Sequence, residues 1–235
     1  MLHKRFLLTC EHGGNQIPAE YSHLFAKKAR QLQSHAGYDL GARELFEAFC
    51  RLQPDKSSIA SVSRLLVDLN RSAHHRAVLS SITRSLEAAE KKAILQRYYD
   101  SYRDPLADWI QAQISQNSLV IHLAVHSFTP VWLGNQRAVD LGILYDPARP
   151  LEKELALAWQ RVLHKEIPEL RVRRNFPYLG VADGFPTWLR RTRGMRYVGI
   201  ELEVNQRFFL YDPELFHELL KKLPGTFSQA AKLHM

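Results

Sequence analysis

The chain has 235 residues, 46% of them hydrophobic and 24% charged, which is enough apolar material for a full core without disulfides or a structural metal. That composition excludes intrinsic disorder, collagen and coiled-coil arrays, and no apolar run approaches the roughly 20 residues needed to cross a bilayer. Lys and Arg exceed Asp and Glu by 32 to 24, a net charge of +8 that suits nucleic acid or a small anionic ligand.

The basic residues are dispersed, with short clusters only at Arg171–Arg173–Arg174 and Arg190–Arg191–Arg193. No basic tail or recognised nucleic-acid motif accompanies them, so an anionic small molecule is the expected partner, and neither nucleic acid nor a membrane is. The apolar stretch near the start, FLL, is too short for a signal peptide, and a cytoplasmic location is expected. Cys10 and Cys50 stand outside any CxxC spacing and read as small core residues of a reducing compartment.

In chain order, Phe6–Cys10 reads as a short buried strand running into Glu11, His12, Gly13 and Gly14. Tyr38–Leu52 has helical spacing, with Leu40, Leu45, Phe46 and Phe49 on one stripe. Ile59–Leu69 is rich in aliphatic residues and predicts a strand ending in the polar loop Asp68-Leu69-Asn70-Arg71. A long helical stretch over 84–116 is expected to bend or restart near Pro105. Ser118–His126 is the clearest strand; Val139–Tyr145 and Arg196–Val204 are two more, with an amphipathic helix over Leu151–Lys165 between them. Helices near Pro213–Lys222 and Thr226–His234 close the chain.

Strands alternating with helices imply an α/β protein, one domain over 1–235, in which a mostly parallel sheet lies between two helical layers in an α/β/α sandwich. In such sheets ligands bind beyond the carboxyl ends of the strands. Polar residues collect there. The first strand delivers His12 and a glycine pair that permits a tight turn and close backbone approach to a ligand; the plainer alternative is a polar surface turn. In Ser118–His126, alternation puts His122, Ala124 and His126 on one face, with His126 at the carboxyl end and His122 deeper, as a hydrogen-bonded core histidine. In Tyr197–Asn205 the same alternation aligns Glu201, Glu203 and Asn205. A carboxylate in an apolar strand is costly unless paired or ligated, so Glu203 is the catalytic candidate and Glu201 is either a second one or a partner for a buried arginine.

Two histidines and a glutamate at strand ends suggest a divalent ion, with zinc first among the choices. Such an ion acidifies bound water and polarises a carbonyl, while a free carboxylate moves the proton to a leaving amine. Arg64, Asn70 and Arg71 flank the second predicted strand and suit a substrate carboxylate, or for Arg64 an oxyanion.

Five segments in order, EHGGNQIP (11–18), SRLLVDLNRS (63–72), VHSF (125–128), NFPYLGVADG (175–184) and GIELEVNQRF (199–208), resemble the N-formylglutamate amidohydrolase family. That family is related in architecture to zinc carboxypeptidases and aspartoacylases. The resemblance implies a phosphorylase/hydrolase-like α/β/α fold with a mixed sheet, one zinc ion per chain, and hydrolysis of a linear amide in a small N-acyl amino acid such as an N-formylglutamate-like compound. It further implies that His12 and His126 ligate the metal, that Glu203 is the general base, and that Arg64, Asn70 and Arg71 engage the substrate. Tyr178 and Asp183 would line its pocket. Zinc carboxypeptidases carry a ligand glutamate three residues after the histidine, whereas here that position is Asn15, a neutral and weaker ligand. Asp39, in HAGYDLGARE (35–44), is an alternative third contact; Glu11 is another, although its side chain is expected to point away from His12. Two other readings remain open at this point, a hydrolase of larger peptide-like or cell-wall substrates and a non-catalytic basic binding protein.

Overall fold

A strand that is apolar on both faces must be covered on both, and the two strongest strands of the sequence meet that demand at the centre of a sheet. The computed structural model describes residues 3–232. In chain order it contains β1 (Lys4–Cys10), a 3-10 segment (Ala19–Phe25), the single turn α1 (Ala29–Leu32), α2 (Ala42–Cys50) and β2 (Lys56–Ile59). Next come α3 (Ala88–Ile94), a π-helical segment (Leu95–Asp100), α4 (Ser101–Ser115) and β3 (Leu119–Phe128). A small hairpin of β4 (Val131–Trp132) and β5 (Asn135–Gln136) precedes β6 (Leu141–Leu144), α5 (Pro150–Glu166), β7 (Val172–Arg174) and α6 (Phe185–Arg193). The last elements are β8 (Tyr197–Asn205), α7 (Arg207–Tyr211) and α8 (Pro213–Ala231).

The main sheet has six strands in the order β2-β1-β3-β8-β6-β7. β2, β1, β3 and β8 are parallel, β6 runs antiparallel to β8, and β7 is parallel to β6. This is the mixed, mostly parallel α/β sandwich expected from the sequence. On one face Leu8, Ile121, Leu123, Val125, Ile200 and Leu202 pack with apolar residues of α2, α5 and α8. On the other, Leu7, Val120 and Tyr197 pack against Leu106 and Ile110 of α4 and Phe185 and Leu189 of α6. A separate cluster, including Phe25, Leu66, Val67, Leu69, Ile94 and Tyr99, anchors the long segment between β2 and α4. Among the described residues no helix is long and apolar enough to cross a membrane.

Several local expectations change. The strand placed over Ile59–Leu69 ends at Ile59; beyond it the Ala60 amide still donates to the Cys10 carbonyl (2.9 Å) and Val62 forms an isolated bridge with Gln16, but residues 60–69 are otherwise irregular loop and turns. Its aliphatic residues are there to fill the separate cluster, which periodicity alone does not distinguish from a buried strand. The helix of 84–116 begins at Ala88 and passes through Pro105; the irregularity is the π-helical segment upstream of it. A proline ring needs room at the carbonyl four residues before it, and a widened turn supplies that room without ending the helix. The two closing helices are one, α8, running past Pro224 to Ala231, and the predicted end near His234 lies outside the described residues. The helix expected from Tyr38 starts at Ala42, because Gly41 takes a left-handed backbone angle (φ +80°) and leaves Tyr38, Asp39 and Leu40 in the loop above the sheet.

Candidate active site

The carboxyl ends of β1, β3 and β8 lie side by side, and each delivers ionisable groups to the same edge. Glu11 and His12 follow β1 directly. The turn after them is held close to the next strand: a Cβ on Gly14 would collide with the backbone of Ser61, and one on Gly13 with Ile59. The glycine pair thus serves packing of this loop against the chain rather than approach to a ligand. The Asp39 amide donates to the His12 carbonyl (2.9 Å), which fastens the loop before α2 over β1. On β3 and β8, pairing sets His126 beside Glu203 and Ala124 beside Glu201. Residues 63–72 and 175–184 close the remaining sides.

The centre is a buried His-Asp-His group. Asp39 Oδ2 lies 2.9 Å from His126 Nδ1 and 3.4 Å from His12 Nδ1. The far side of each imidazole is held by another carboxylate: His12 Nε2 is 2.8 Å from Asp68 Oδ1, and His126 Nε2 is 3.1 Å from Glu11 Oε2. Arg64 ties the two aspartates together, with Nη1 on Asp39 Oδ1 (2.9 Å) and Nη2 on Asp68 Oδ2 (3.4 Å). Carboxylates that fix one ring nitrogen and leave the other converging on a common point are the arrangement that orients histidine ligands.

Electrostatics reinforce this geometry. Burial by itself would raise Glu11, but His126 and His122 outweigh it and hold its carboxyl at about 2. Asp39 and Asp68 are likewise held below the ordinary carboxylate range against their burial, by His12 and Arg64. His126 is buried, yet Asp39 and Glu11 push it well above the usual imidazole value. Asp39 and Asp68 thus share the Arg64 guanidinium, with Arg71 4.0 Å from Asp68, while Glu11 faces His126. One ligand atom from each of His12, Asp39 and His126 falls within 4.8 Å of the others, and His12 Nδ1 is buried without a hydrogen bond. The donor set of two imidazoles and a carboxylate fits a divalent ion of the zinc class.

Glu203 differs from the other carboxylates. Burial, with Asp39 and Glu201 nearby, outweighs His126 and Arg64 and pushes it up to about 8, and its Oε2 is buried with no hydrogen-bond partner. Glu201 is also raised, chiefly by burial, and contacts Asn70. The buried arginine offered as a partner for Glu201 is Arg190, whose carboxylate is instead Glu152 at 2.9 Å. His122 lies between Thr9 Oγ1 (2.7 Å) and the Tyr197 hydroxyl (2.6 Å), a core histidine as expected.

A cleft of about 500 Å³ opens over this group, and His12, His126, Asp39, Glu203, Arg64, Asn70, Arg71, Tyr178 and Asp183 all line it. Asn15 does not join them: its amide donates to the Leu32 carbonyl (3.0 Å), and the buried group that could hold a metal contains Asp39 instead. Asp183 is committed to Ser72, accepting from its amide (3.1 Å) and hydroxyl (2.5 Å). Asn70 Oδ1 accepts the Phe185 amide (2.7 Å). These bonds clamp the two loops to each other. Arg71 donates to the Asp183 carbonyl (3.2 Å), has Asp68 4.0 Å from its Nε, and lines the cleft.

Sequence reasoning alone gives Asp68 no role and offers Glu11 as an alternative metal contact whose side chain points away from His12. Glu11 does point away from His12, but the neighbouring strand brings His126 to it, a pairing that spacing within β1 cannot reveal. Ser127, Phe128 and Gln206, which fall inside the segments VHSF and GIELEVNQRF without an assigned role, also line the cleft, as does Trp132, which no segment marks.

The sequence profile of the family described as N-formylglutamate amidohydrolase matches residues 4–210. Among solved structures, a gene product of Agrobacterium tumefaciens is similar at 26% identity with TM-score 0.81, covering 97% of this chain and 90% of that one. An N-formylglutamate amidohydrolase from Ralstonia eutropha shares the fold at 18% identity with TM-score 0.73, covering 99% of this chain and 95% of that one. No curated relative matches the sequence.

Proposed function

The chain belongs to the N-formylglutamate amidohydrolase family, and on that premise we propose that it is a metal-dependent hydrolase of the linear amide in a small, carboxylate-bearing N-acyl amino acid. The observation that carries this reading is the convergence of His12 Nδ1 and His126 Nδ1 on Asp39, with Glu203 in register beside His126. His12, His126 and Asp39 are the residues that would hold a zinc-class ion, which when bound supplies Lewis-acid polarisation of the amide carbonyl and a more acidic water.

The protein's own groups do the rest. Asp68 and Glu11 fix the two imidazoles so that both Nδ1 atoms face inward. Arg64 offsets the charge of Asp39 and Asp68 and thereby keeps both carboxylates usable in a buried place. Glu203 has a carboxyl oxygen free of hydrogen bonds in the cleft, and in its ionised form, which a cation held by the histidines would favour, it can take the proton of the attacking water and return it to the leaving nitrogen. Arg71 offers a guanidinium for the substrate carboxylate. Loops 63–72 and 175–184, bonded through Asp183 and Ser72, hold that guanidinium at a fixed distance from the histidines.

Elemental analysis of tag-free protein tests the reading together with a panel of N-formyl, N-acetyl and N-succinyl amino acids against dipeptides. About one zinc per chain, lost in a His12→Ala/His126→Ala double variant, with turnover of the N-acyl amino acids, is the expected result. Metal that survives the double change, or hydrolysis of peptides alone, would overturn it.

A further inference from the structure

The walls of the cleft bear on which amino acid it takes, an inference that rests on the hydrolytic reading above. Away from the histidines the lining turns apolar: Phe128 from the end of β3, Trp132 from the β4–β5 hairpin, Leu144 from the end of β6, and Tyr178 and Leu179 from the loop before α6. Trp132, Tyr178 and Leu179 are 50%, 45% and 61% exposed. Large apolar side chains left in water around a concave site mark a surface that a ligand covers. The wall is braced rather than loose. The Arg137 guanidinium lies 5.3 Å from the Trp132 ring, 5.4 Å from Tyr178 and 5.7 Å from Phe128, and donates to the Thr129 carbonyl and hydroxyl. Arg137 itself is not part of the lining.

The charges of the lining point the same way. Its arginines are Arg64 and Arg71. Arg64 is occupied by Asp39 and Asp68, whereas the Arg71 side chain is 38% exposed and its Nε is 4.0 Å from its nearest carboxylate, on Asp68. His12 and His126 are likewise held by carboxylates, and His35 is exposed. Within the lining, Arg71 is therefore the guanidinium left for a carboxylate, while Arg137 sits behind the aromatic wall, bonded to Thr129. A second carboxylate would meet Asp183, which shares the lining and is held as a carboxylate by Ser72, and a like charge in a partly desolvated cleft disfavours it.

We propose that the substrate carries one carboxylate, held at Arg71, and one bulky apolar group laid against Trp132, Tyr178 and Leu179: an N-acyl derivative of an aromatic or large aliphatic amino acid rather than of glutamate or aspartate. The bulky group belongs either to the amino-acid side chain or to the acyl half, and the two have the same recognition chemistry.

Four compounds separate the outcomes: N-formylphenylalanine, N-phenylacetylglycine, N-formylglycine and N-formylglutamate. Each is assayed for kcat/KM with the zinc-loaded enzyme and titrated calorimetrically into Glu203→Gln. N-Formylphenylalanine or N-phenylacetylglycine is expected to exceed N-formylglutamate at least about tenfold, because burying an aromatic group on the wall favours it and the second carboxylate is rejected. Whichever of the two leads locates the apolar group on the amino-acid or the acyl half. Trp132→Ala is expected to narrow the preference of that compound over N-formylglycine. Preferred turnover and binding of N-formylglutamate would overturn the proposal and leave the hydrolase reading standing. Binding in the proposed order with no turnover of any compound would remove the hydrolase reading and keep this one; binding of none would overturn both.

Discussion

Replacing Arg190 by methionine tests how the strand that carries Glu201 and Glu203 is held in place. Arg190 is 6% exposed, and its Nε donates to both oxygens of the fully buried Glu152 (3.0 and 2.9 Å). Its Nη1 donates to the Thr187 hydroxyl (3.0 Å) and the Gly180 carbonyl, and its Nη2 to the Gly199 carbonyl (2.9 Å). Glu152 in turn accepts the amides of Gly199 (3.0 Å) and Asp146 (2.9 Å) and lies 3.0 Å from Arg149 Nε. One ion pair thereby joins α5, α6 and β8. Removing one partner of a buried pair costs about 3–5 kcal/mol, because the other charge stays behind in the interior. Arg149 remains as a cation beside Glu152, which places Arg190→Met near the lower end, about 3 kcal/mol. For a chain of this size that corresponds to a fall in Tm of roughly 6–12 °C. Thermal unfolding followed by circular dichroism measures it, with urea titration as the second reading. The double variant Arg190→Met/Glu152→Gln is expected to recover part of the loss, since the stranded charge goes with its partner. A fall of less than about 2 °C, which at this chain length is a loss of less than about 1 kcal/mol, or a double variant as unstable as the sum of the singles, would refute the reasoning.

Three further outcomes are expected at the site and in the core. Glu203→Gln is expected to retain metal while kcat falls by about 10²–10⁴; unchanged turnover would remove Glu203 as the base. Asp68→Asn replaces the carboxylate 2.8 Å from His12 Nε2 by a weaker acceptor, and zinc affinity measured by competition with a chelating dye should fall about 10–100-fold. An affinity equal to wild type would mean that His12 is oriented without it. Burial, with Arg190 and His126 nearby, pushes His122 down from the ordinary 6.5 to about 4. The unfolded chain therefore binds more protons than the folded one between those values, so this group's contribution is intact above pH 6.5 and declines as pH falls through the window, by about 3 kcal/mol in all. Urea unfolding at pH 7 and pH 4.5 should show a smaller acid loss in His122→Gln than in wild type, and an identical loss would refute the assignment.

Much of the fold was legible because burial of a strand on both faces leaves a visible mark. The run VIHLAV and the alternation through Tyr197–Asn205 identify the two central strands and place His126 and Glu203 at their carboxyl ends. The segment Ile59–Leu69 misleads for the same reason. Leu66, Val67 and Leu69 are as buried as strand residues, but they belong to a cluster built from turns and α3, and hydrophobicity alone does not tell one interior from another. Pro105 is a local signal that a non-local arrangement overrides, since the π-helical turns before it absorb the proline within a continuous helical stretch.

Periodicity and chain order were enough to say which residue types could do chemistry here and at which strand ends they emerge. How those residues pair was settled by the folded arrangement alone. That Asp39, and not Asn15, stands with His12 and His126 turns on a loop lifted by Gly41 and on an Asn15 amide already spent on Leu32. The orientation of Glu11 depends on β3 lying next to β1, so that a side chain aimed away from His12 arrives at His126. Contacts between residues far apart in the chain have no period to read. They arise when strands, each legible alone, are laid in one order and register, and that juxtaposition is fixed by packing on both faces of the sheet.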